Sequence, residues 1–373
     1  MNGDRFTVTY RLRCDRAQVE ARAEAVALEQ SVELPAAAVT DHRVRDDVMG
    51  RVLAIRQRDE REFDVDIALA EETVGRDAGQ FLNMLFGNTS LQDDAVLVDV
   101  TVGATFAARF GGPRFGIAGL RELAGVRGRA LSCAALKPQG LPPAALAGLA
   151  GTLARSGIDI IKDDHGLADQ SAAPFAQRVT ACQRAIGEAQ AASGARALYA
   201  PSITGSLEDM RRQLGVAREQ GVRVALIAPM ISGVSNLATL ARDAGVALIA
   251  HPALAGATRI LPPLLLGKLF RLFGADATIF PHAGGRFGYT LADCAGIADA
   301  ARHPWHGLAA TMPVPAGGMS VERVHGMREF YGDEAMFLIG GSLLLAGDAL
   351  AARCRAFVDA VAAPYAHQDS RHD

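Results

Sequence analysis

Four ionisable residues close a single apolar run. In GIDIIKDDHG, positions 157–166, Lys162, Asp163, Asp164 and His165 follow the last isoleucine, and Asp159 lies inside the run. Successive side chains of an extended strand point to opposite faces, so Asp163 and Asp164 cannot both face one way, whereas Lys162 and Asp164 can. A lysine is a cation at neutral pH and not a metal ligand. If its neutral amine captures CO2, the carbamate that forms is an anionic oxygen donor. Lys162, Asp164 and His165 then offer two oxygen ligands and one nitrogen ligand to a divalent cation. Mg2+ prefers oxygen and keeps several waters, while a histidine ligand suits a softer metal better. Other chemistry-bearing groups close similar runs: Lys137 after ALSCAAL, His251 after VALIA, His282 after DATIFP, Gly317 and Gly318 after MPVPA, and Gly340 and Gly341 after AMFLI. Glycine turns of this kind can present backbone N–H groups to a phosphate. Taken singly, each has a plain structural explanation: a solvated lysine, a satisfied core histidine, acidic residues in the first turn of a helix, a tight loop. Their recurrence at one end of successive runs points to a single site.

The runs themselves define the elements that must hold that site. From about residue 129, eight short apolar segments alternate with helical ones at spacings of roughly 20–40 residues, enough for a helix and two loops. Continuous apolar strands alternating with helices imply a parallel sheet covered on both faces. Eight such units predict a (β/α)8 barrel, whose active site lies at the C-terminal ends of the strands. An open doubly wound sheet is the alternative, but it would need a glycine-rich nucleotide loop after an early strand, and no G-x-G-x-x-G stands there. The first part of the chain mixes strands (RFTVTYRL, VMGRVLAIRQ, EFDVDIAL, DAVLVDVTV) with helices (DRAQVEARAEAVALEQ, AGQFLNMLFG), and Asp15 is the expected N-cap of the first helix. This pattern predicts an α+β, ferredoxin-like domain over residues 1–115 and a barrel over residues 116–373. The glycine-rich GGPRFGIAGLREL is the expected hinge between them.

Composition narrows the function classes. The chain has 373 residues, half of them apolar, and a net charge of −3. There is no basic stripe to suggest nucleic acid. No apolar stretch approaches the roughly 20 residues that span a bilayer. The opening MNGDRFTVTYRLRC lacks the layout of a secretory signal. Five scattered cysteines fit a reducing compartment, so the expected location is the cytoplasm.

The motifs together resemble the large subunit of ribulose-bisphosphate carboxylase (RuBisCO), over nearly the whole chain. ALKPQGL is similar to that family's first-strand lysine motif, and GIDIIKDDHG to its second-strand motif, whose lysine is carbamylated and binds Mg2+. PAGGMSVERVHGMREFYGDEAMFLIGG resembles the phosphate turns of the seventh and eighth strands. ALEQSVE and LFGNTS resemble segments that place a Glu and an Asn over the neighbouring subunit's active site. The resemblance implies that Lys162 is the carbamylated (N6-carboxylysine) ligand to Mg2+, with Asp164 and His165 beside it, and that Lys137 transfers protons. It further implies that His251 acts at the substrate, that His282, Arg286, Gly317, Gly318, Gly340 and Gly341 bind it, and that Glu29 and Asn88 reach it from the other subunit of a homodimer.

The departures point away from carboxylation. His165 replaces a ligand Glu, Gln139 the second lysine of the first motif, Pro252 a phosphate-clamping Arg, and Ala316 a Ser. With one phosphate clamp dismantled, the resemblance is to the non-carboxylating RuBisCO-like branch. Its members stabilise a metal-bound enediolate of a phosphorylated keto sugar or keto sugar acid. The leading expectation is decarboxylation of 3-oxo-isoapionate 4-phosphate, which needs only a metal enolate and a proton donor. Transcarboxylation and hydrolysis of the same compound, a methionine-salvage enolase or isomerase, and a non-catalytic binding protein are the alternatives.

Overall fold

The computed structural model describes residues 4–364; the outermost positions of the ranges 1–115 and 116–373 lie outside the described residues. In β1 (Arg5–Arg13) the alternating residues Phe6, Val8, Tyr10 and Leu12 are buried, as a half-covered strand requires. It pairs with β3 (Glu62–Ala70) and β4 (Ala95–Thr101), and β3 with β2 (Arg51–Gln57), in an antiparallel sheet of order β2-β3-β1-β4. Helices Val19–Glu29 and Ala78–Phe86 make the two crossovers, which completes the ferredoxin-like β-α-β-β-α-β pattern. Asp15 does not cap the first helix; its carboxylate pairs with Arg61 at 3.1 Å. Asp77 caps the second helix, accepting from Gln80 N at 2.7 Å.

The remaining strands form the barrel, and all eight expected runs are present. They are β5 (Leu131–Leu136), β6 (Ile160–Asp163), β7 (Leu198–Ala200), β8 (Val224–Ile227), β9 (Ala247–Ala250), β10 (Ala277–Pro281), β11 (Met312–Ala316) and β12 (Met336–Ile339). Two parallel ladders run β12-β5-β6-β7 and β8-β9-β10-β11. Ile203 N donating to Leu226 O at 2.9 Å and Leu226 N donating to Pro201 O at 2.8 Å join them, and β11 packs beside β12.

Alternation sorts each strand's residues. Leu131 and Cys133 of β5, Ile160 of β6, Ile249 of β9 and Leu338 of β12 belong to the barrel's inner cluster. Ala134, Leu136 and Ile161 lie in the outer core, which continues beneath the helices and into the first domain. The segment expected as a hinge is in fact largely a helix, Gly116–Ala124, whose Ile117, Leu120 and Ala124 join the inner cluster. The buried Asp276 carboxylate, just before β10, accepts from Phe115 N at 2.6 Å and Gly116 N at 2.8 Å, and its second oxygen accepts from Leu248 N at 2.8 Å. A buried carboxylate with three backbone donors anchors this helix beneath the strands. Among the described residues, no helix is long and apolar enough to cross a membrane.

Candidate active site

The inward parity continues past the ends of the strands. Ile160 faces the barrel interior, so Lys162 and Asp164 do too. Lys137 follows Leu131 and Cys133 on β5, His251 follows Ile249 on β9, and Gly340 follows Leu338 on β12 by the same count. Residues from four strands therefore converge at one end of the barrel.

The contacts agree with this count. The Lys137 ammonium rests on the Asp164 carboxylate, and Gln139 Nε2 donates to its other oxygen at 3.2 Å. His165 Nδ1 lies 3.6 Å from the same carboxylate. The Gly340 Cα is close to Lys137: a Cβ built there would stand 3.8 Å from Lys137 Cε. Burial favours the neutral acid of Asp164, but the contacts from His165, Lys137 and Gln139 and the Lys137 charge outweigh it and hold the carboxyl well below the usual carboxylate range. Lys162 is almost wholly buried, and its Nζ donates to the Asp163 carbonyl at 2.8 Å. Burial lowers its pKa, and the Lys137 charge adds to this against the pull of the neighbouring carboxylates. A neutral amine is the form that can capture CO2. Among the described residues, no three His, Cys, Asp or Glu side chains gather as a metal site. The three residues expected as ligands thus form a complete set only with Lys162 as its carbamate.

Asp163 points the other way. It is fully buried and accepts from Arg178 Nε at 3.0 Å, Tyr199 OH at 2.7 Å and Ser202 N at 3.0 Å. At the other end of β6, Asp159 takes both Arg129 nitrogens, at 2.7 and 2.8 Å, and the Ser132 N–H at 2.8 Å. The two outward aspartates fix the strand, leaving its inward residues free for chemistry.

The imidazoles of His165 and His251 stack with centroids 4.3 Å apart and planes at 7°. His251 Nδ1 accepts the Ala253 N–H at 3.1 Å, so Nε2 carries the proton of the neutral ring. Burial, above all, pushes its pKa down to about 2. His251 is therefore a hydrogen-bond donor at neutral pH and not a base. His282 lies at the end of β10, with Nδ1 2.7 Å from Tyr331 OH. Gly317 and Gly318 adopt φ of +85° and +93°, a conformation that favours glycine, and Gly317 O accepts from Arg286 N at 2.9 Å. Ser342 Oγ donates to Met319 O at 2.6 Å and ties this turn to the one after β12, where Gly341 starts a short helical turn.

Arg286 lies beside the Gly317–Gly318 turn, but its guanidinium packs over the Phe287 ring at 5.4 Å, on the surface. Two expected residues sit apart from this cluster. Glu29 and Asn88 are bonded to each other at 2.9 Å, and Asn88 also donates to Glu33 at 3.0 Å, on an exposed face of the first domain. Sequence reasoning missed Arg323, which holds the β10 loop by donating to Ala283 O at 2.7 Å and Gly284 O at 3.0 Å, and Tyr331. It treated Gln139 only as a departure, although its spacing from Lys137 placed both on one face.

The chain is similar to known proteins over nearly its whole length. The model of the ribulose bisphosphate carboxylase large chain, catalytic domain, matches residues 116–289. Ribulose bisphosphate carboxylase-like protein 1 of Rhodopseudomonas palustris is 54% identical over 360 residues, covering 96% of this chain and 98% of that protein. The 5-methylthioribulose-1-phosphate isomerase of Rhodospirillum rubrum is 51% identical over 361 residues, 96% of each. The crystal structure of a Rubisco-like protein from Rhodopseudomonas palustris superimposes with a TM-score of 0.91 at 49% identity, covering 97% of this chain and 98% of that one.

Proposed function

This chain belongs to the RuBisCO-like proteins, the non-carboxylating branch of the RuBisCO large-chain superfamily, and from that premise we propose that it isomerises a phosphorylated ketose by moving a proton through an enediolate. The leading substrate is 5-methylthioribulose 1-phosphate, from the name of the relative that is 51% identical. That relative favours isomerisation over the decarboxylation of 3-oxo-isoapionate 4-phosphate expected from the sequence. An isomerase also needs a proton carrier on the inner face of the site, and the Lys137–Asp164 contact supplies one. This contact is the observation that carries the reading.

The donor set fits a divalent cation if Lys162 is carbamylated: that carbamate and Asp164 would offer Mg2+ the oxygens it prefers, with His165 as a nitrogen donor that also suits a softer metal, and the ion would supply positive charge where the enediolate develops. The chain's own groups do the rest. Lys137 Nζ, as the neutral amine, takes the proton from the carbon beside the carbonyl, which leaves the enediolate, and the ammonium so formed beside Asp164 returns it to the neighbouring carbon. The neutral His251 donates from Nε2 to a substrate oxygen and holds the carbonyl that is to be enolised. The Gly317–Gly318 and Gly340–Gly341 turns offer amides to the phosphate. In a homodimer, the partner subunit's Glu29 and the partner subunit's Asn88 close the site.

The test is incubation with a panel of ketose phosphates in D2O, followed by NMR. We expect deuterium at the carbon beside the carbonyl, relocation of the carbonyl, and loss of both in Lys137→Ala and Lys162→Ala with the fold retained. Release of CO2 from a keto acid without such exchange would replace this reading with decarboxylation.

A further inference from the structure

His282 does not follow the inward count. Ala277 and Ile279 of β10 face the barrel interior, so Pro281 shares their side and His282 falls on the opposite one, toward the helix Val324–Tyr331. Its ring is buried against the edges of Phe330 and Tyr331, with centroids 6.0 and 5.4 Å away. A side chain on that side needs something to aim it back at the site. The Tyr331 hydroxyl, 2.7 Å from Nδ1, occupies that position. Tyr331 is itself only 2% exposed, and its backbone carbonyl is held by Arg302 Nη1 at 2.6 Å, so the hydroxyl is fixed in space.

We propose that Tyr331 is a positioning residue that locks His282 as the Nε2–H tautomer and in one ring orientation, so that the imidazole presents a donor to an anionic oxygen of the substrate. The direction of the bond follows from its neighbours. Cys294 is the other group against the hydroxyl, and its own thiol donates to Pro281 O at 3.5 Å. Sulfur is a weak acceptor, so the phenolic proton goes to the imidazole nitrogen. Burial raises the Tyr331 pKa, so the hydroxyl keeps that proton at neutral pH. Burial and the nearby Arg323 charge lower the His282 pKa and keep the ring neutral, with Nδ1 free to accept. The role at the substrate rests on the functional reading above; the tautomer does not.

The wild-type protein, labelled with 15N-histidine and assigned with His282→Gln, tests the tautomer by long-range 15N–1H NMR. We expect an unprotonated Nδ1 and a protonated Nε2. A proton on Nδ1 would overturn the proposal, whatever substrate the enzyme turns over. Tyr331→Phe keeps the ring and removes the hydroxyl. Two tautomers and two ring orientations then compete, the competent state falls to about a quarter, and the Kd for inorganic phosphate rises about fourfold. KM for the ketose phosphate should rise in step, with kcat changed less, while the melting temperature stays near wild type. An unaltered His282 spectrum and phosphate affinity in Tyr331→Phe would reduce Tyr331 to packing. If the tautomer and its loss appear as expected but no ketose phosphate is isomerised, the functional reading fails and the positioning role stands.

Discussion

His251 makes the protein sensitive to mild acid, and the size of the effect follows from its surroundings. In the folded chain burial, above all, pushes its pKa down to about 2. In the unfolded chain it titrates near its ordinary value of about 6.5. Below that value the unfolded state binds a proton that the folded state refuses. The stabilising contribution is therefore complete above about pH 6.5 and is lost as the pH falls toward the folded value. Between pH 7 and pH 5 the linkage integral for one such group is about 2 kcal/mol. Carboxylates and other histidines add their own pH dependence, so the measurement is a difference: wild type against His251→Gln at both pH values. Chemical denaturation followed by the fluorescence of Trp305, the chain's single tryptophan, reads it. The wild type should lose about 2 kcal/mol more than the variant on going from pH 7 to pH 5. Equal losses in the two proteins, or an NMR titration of His251 with a midpoint near its ordinary value, would refute the picture of a neutral ring held by burial and by the Ala253 amide.

Two further outcomes follow from the groups around the site. Asp163→Ala leaves Arg178 buried without its carboxylate and should cost about 3–5 kcal/mol, read as a fall in melting temperature, while Asp163→Asn, whose one carbonyl oxygen can still accept from Arg178 and Ser202 at the Oδ2 position, should cost less. Gly317→Ala forces a side chain into φ of +85° and sets a Cβ 2.9 Å from the Phe287 ring, so stability should drop by about 1–2 kcal/mol, and binding of inorganic phosphate should weaken by more than that loss of stability explains; unaltered phosphate affinity would remove this turn from the binding site.

How much of this was legible before the structure depends on whether a feature is local. The eight barrel strands were readable because a strand covered on both faces is a continuous apolar run, and runs such as VALIA and MFLI have little other use in a chain of this composition. The meeting of Lys137, Lys162, Asp164 and His251 followed from alternation once the barrel was assumed. The helix Gly116–Ala124 was hidden by the glycines around it, which read as a hinge, although Ile117, Leu120 and Ala124 already have helical spacing. Asp15 matched a cap signal but was drawn to Arg61, a partner far along the chain. The Tyr331–His282 contact joins residues 49 positions apart on different elements, and no local pattern marks such a pair.

Strand β6 shows why one short segment carries so much charge. Its outward aspartates are saturated by donors: Asp159 by Arg129 and Ser132, Asp163 by Arg178, Tyr199 and Ser202. These bonds fix the strand's register and rotation, which in turn fixes where Lys162 and Asp164 point. The inward pair is treated differently. The negative charge of Asp164 is already matched by the Lys137 ammonium, and the Lys162 amine donates to the backbone carbonyl of Asp163. Burial on those terms disfavours the ammonium and lowers the Lys162 pKa, which raises the share of the neutral amine. That form is inert as a structural residue and reactive toward CO2. A barrel built only for binding would gain more from an apolar residue at position 162, because a buried lysine without a matching carboxylate costs stability. The arrangement makes physical sense if the amine is there to be converted, and the rigid outward side of the strand is what holds it ready.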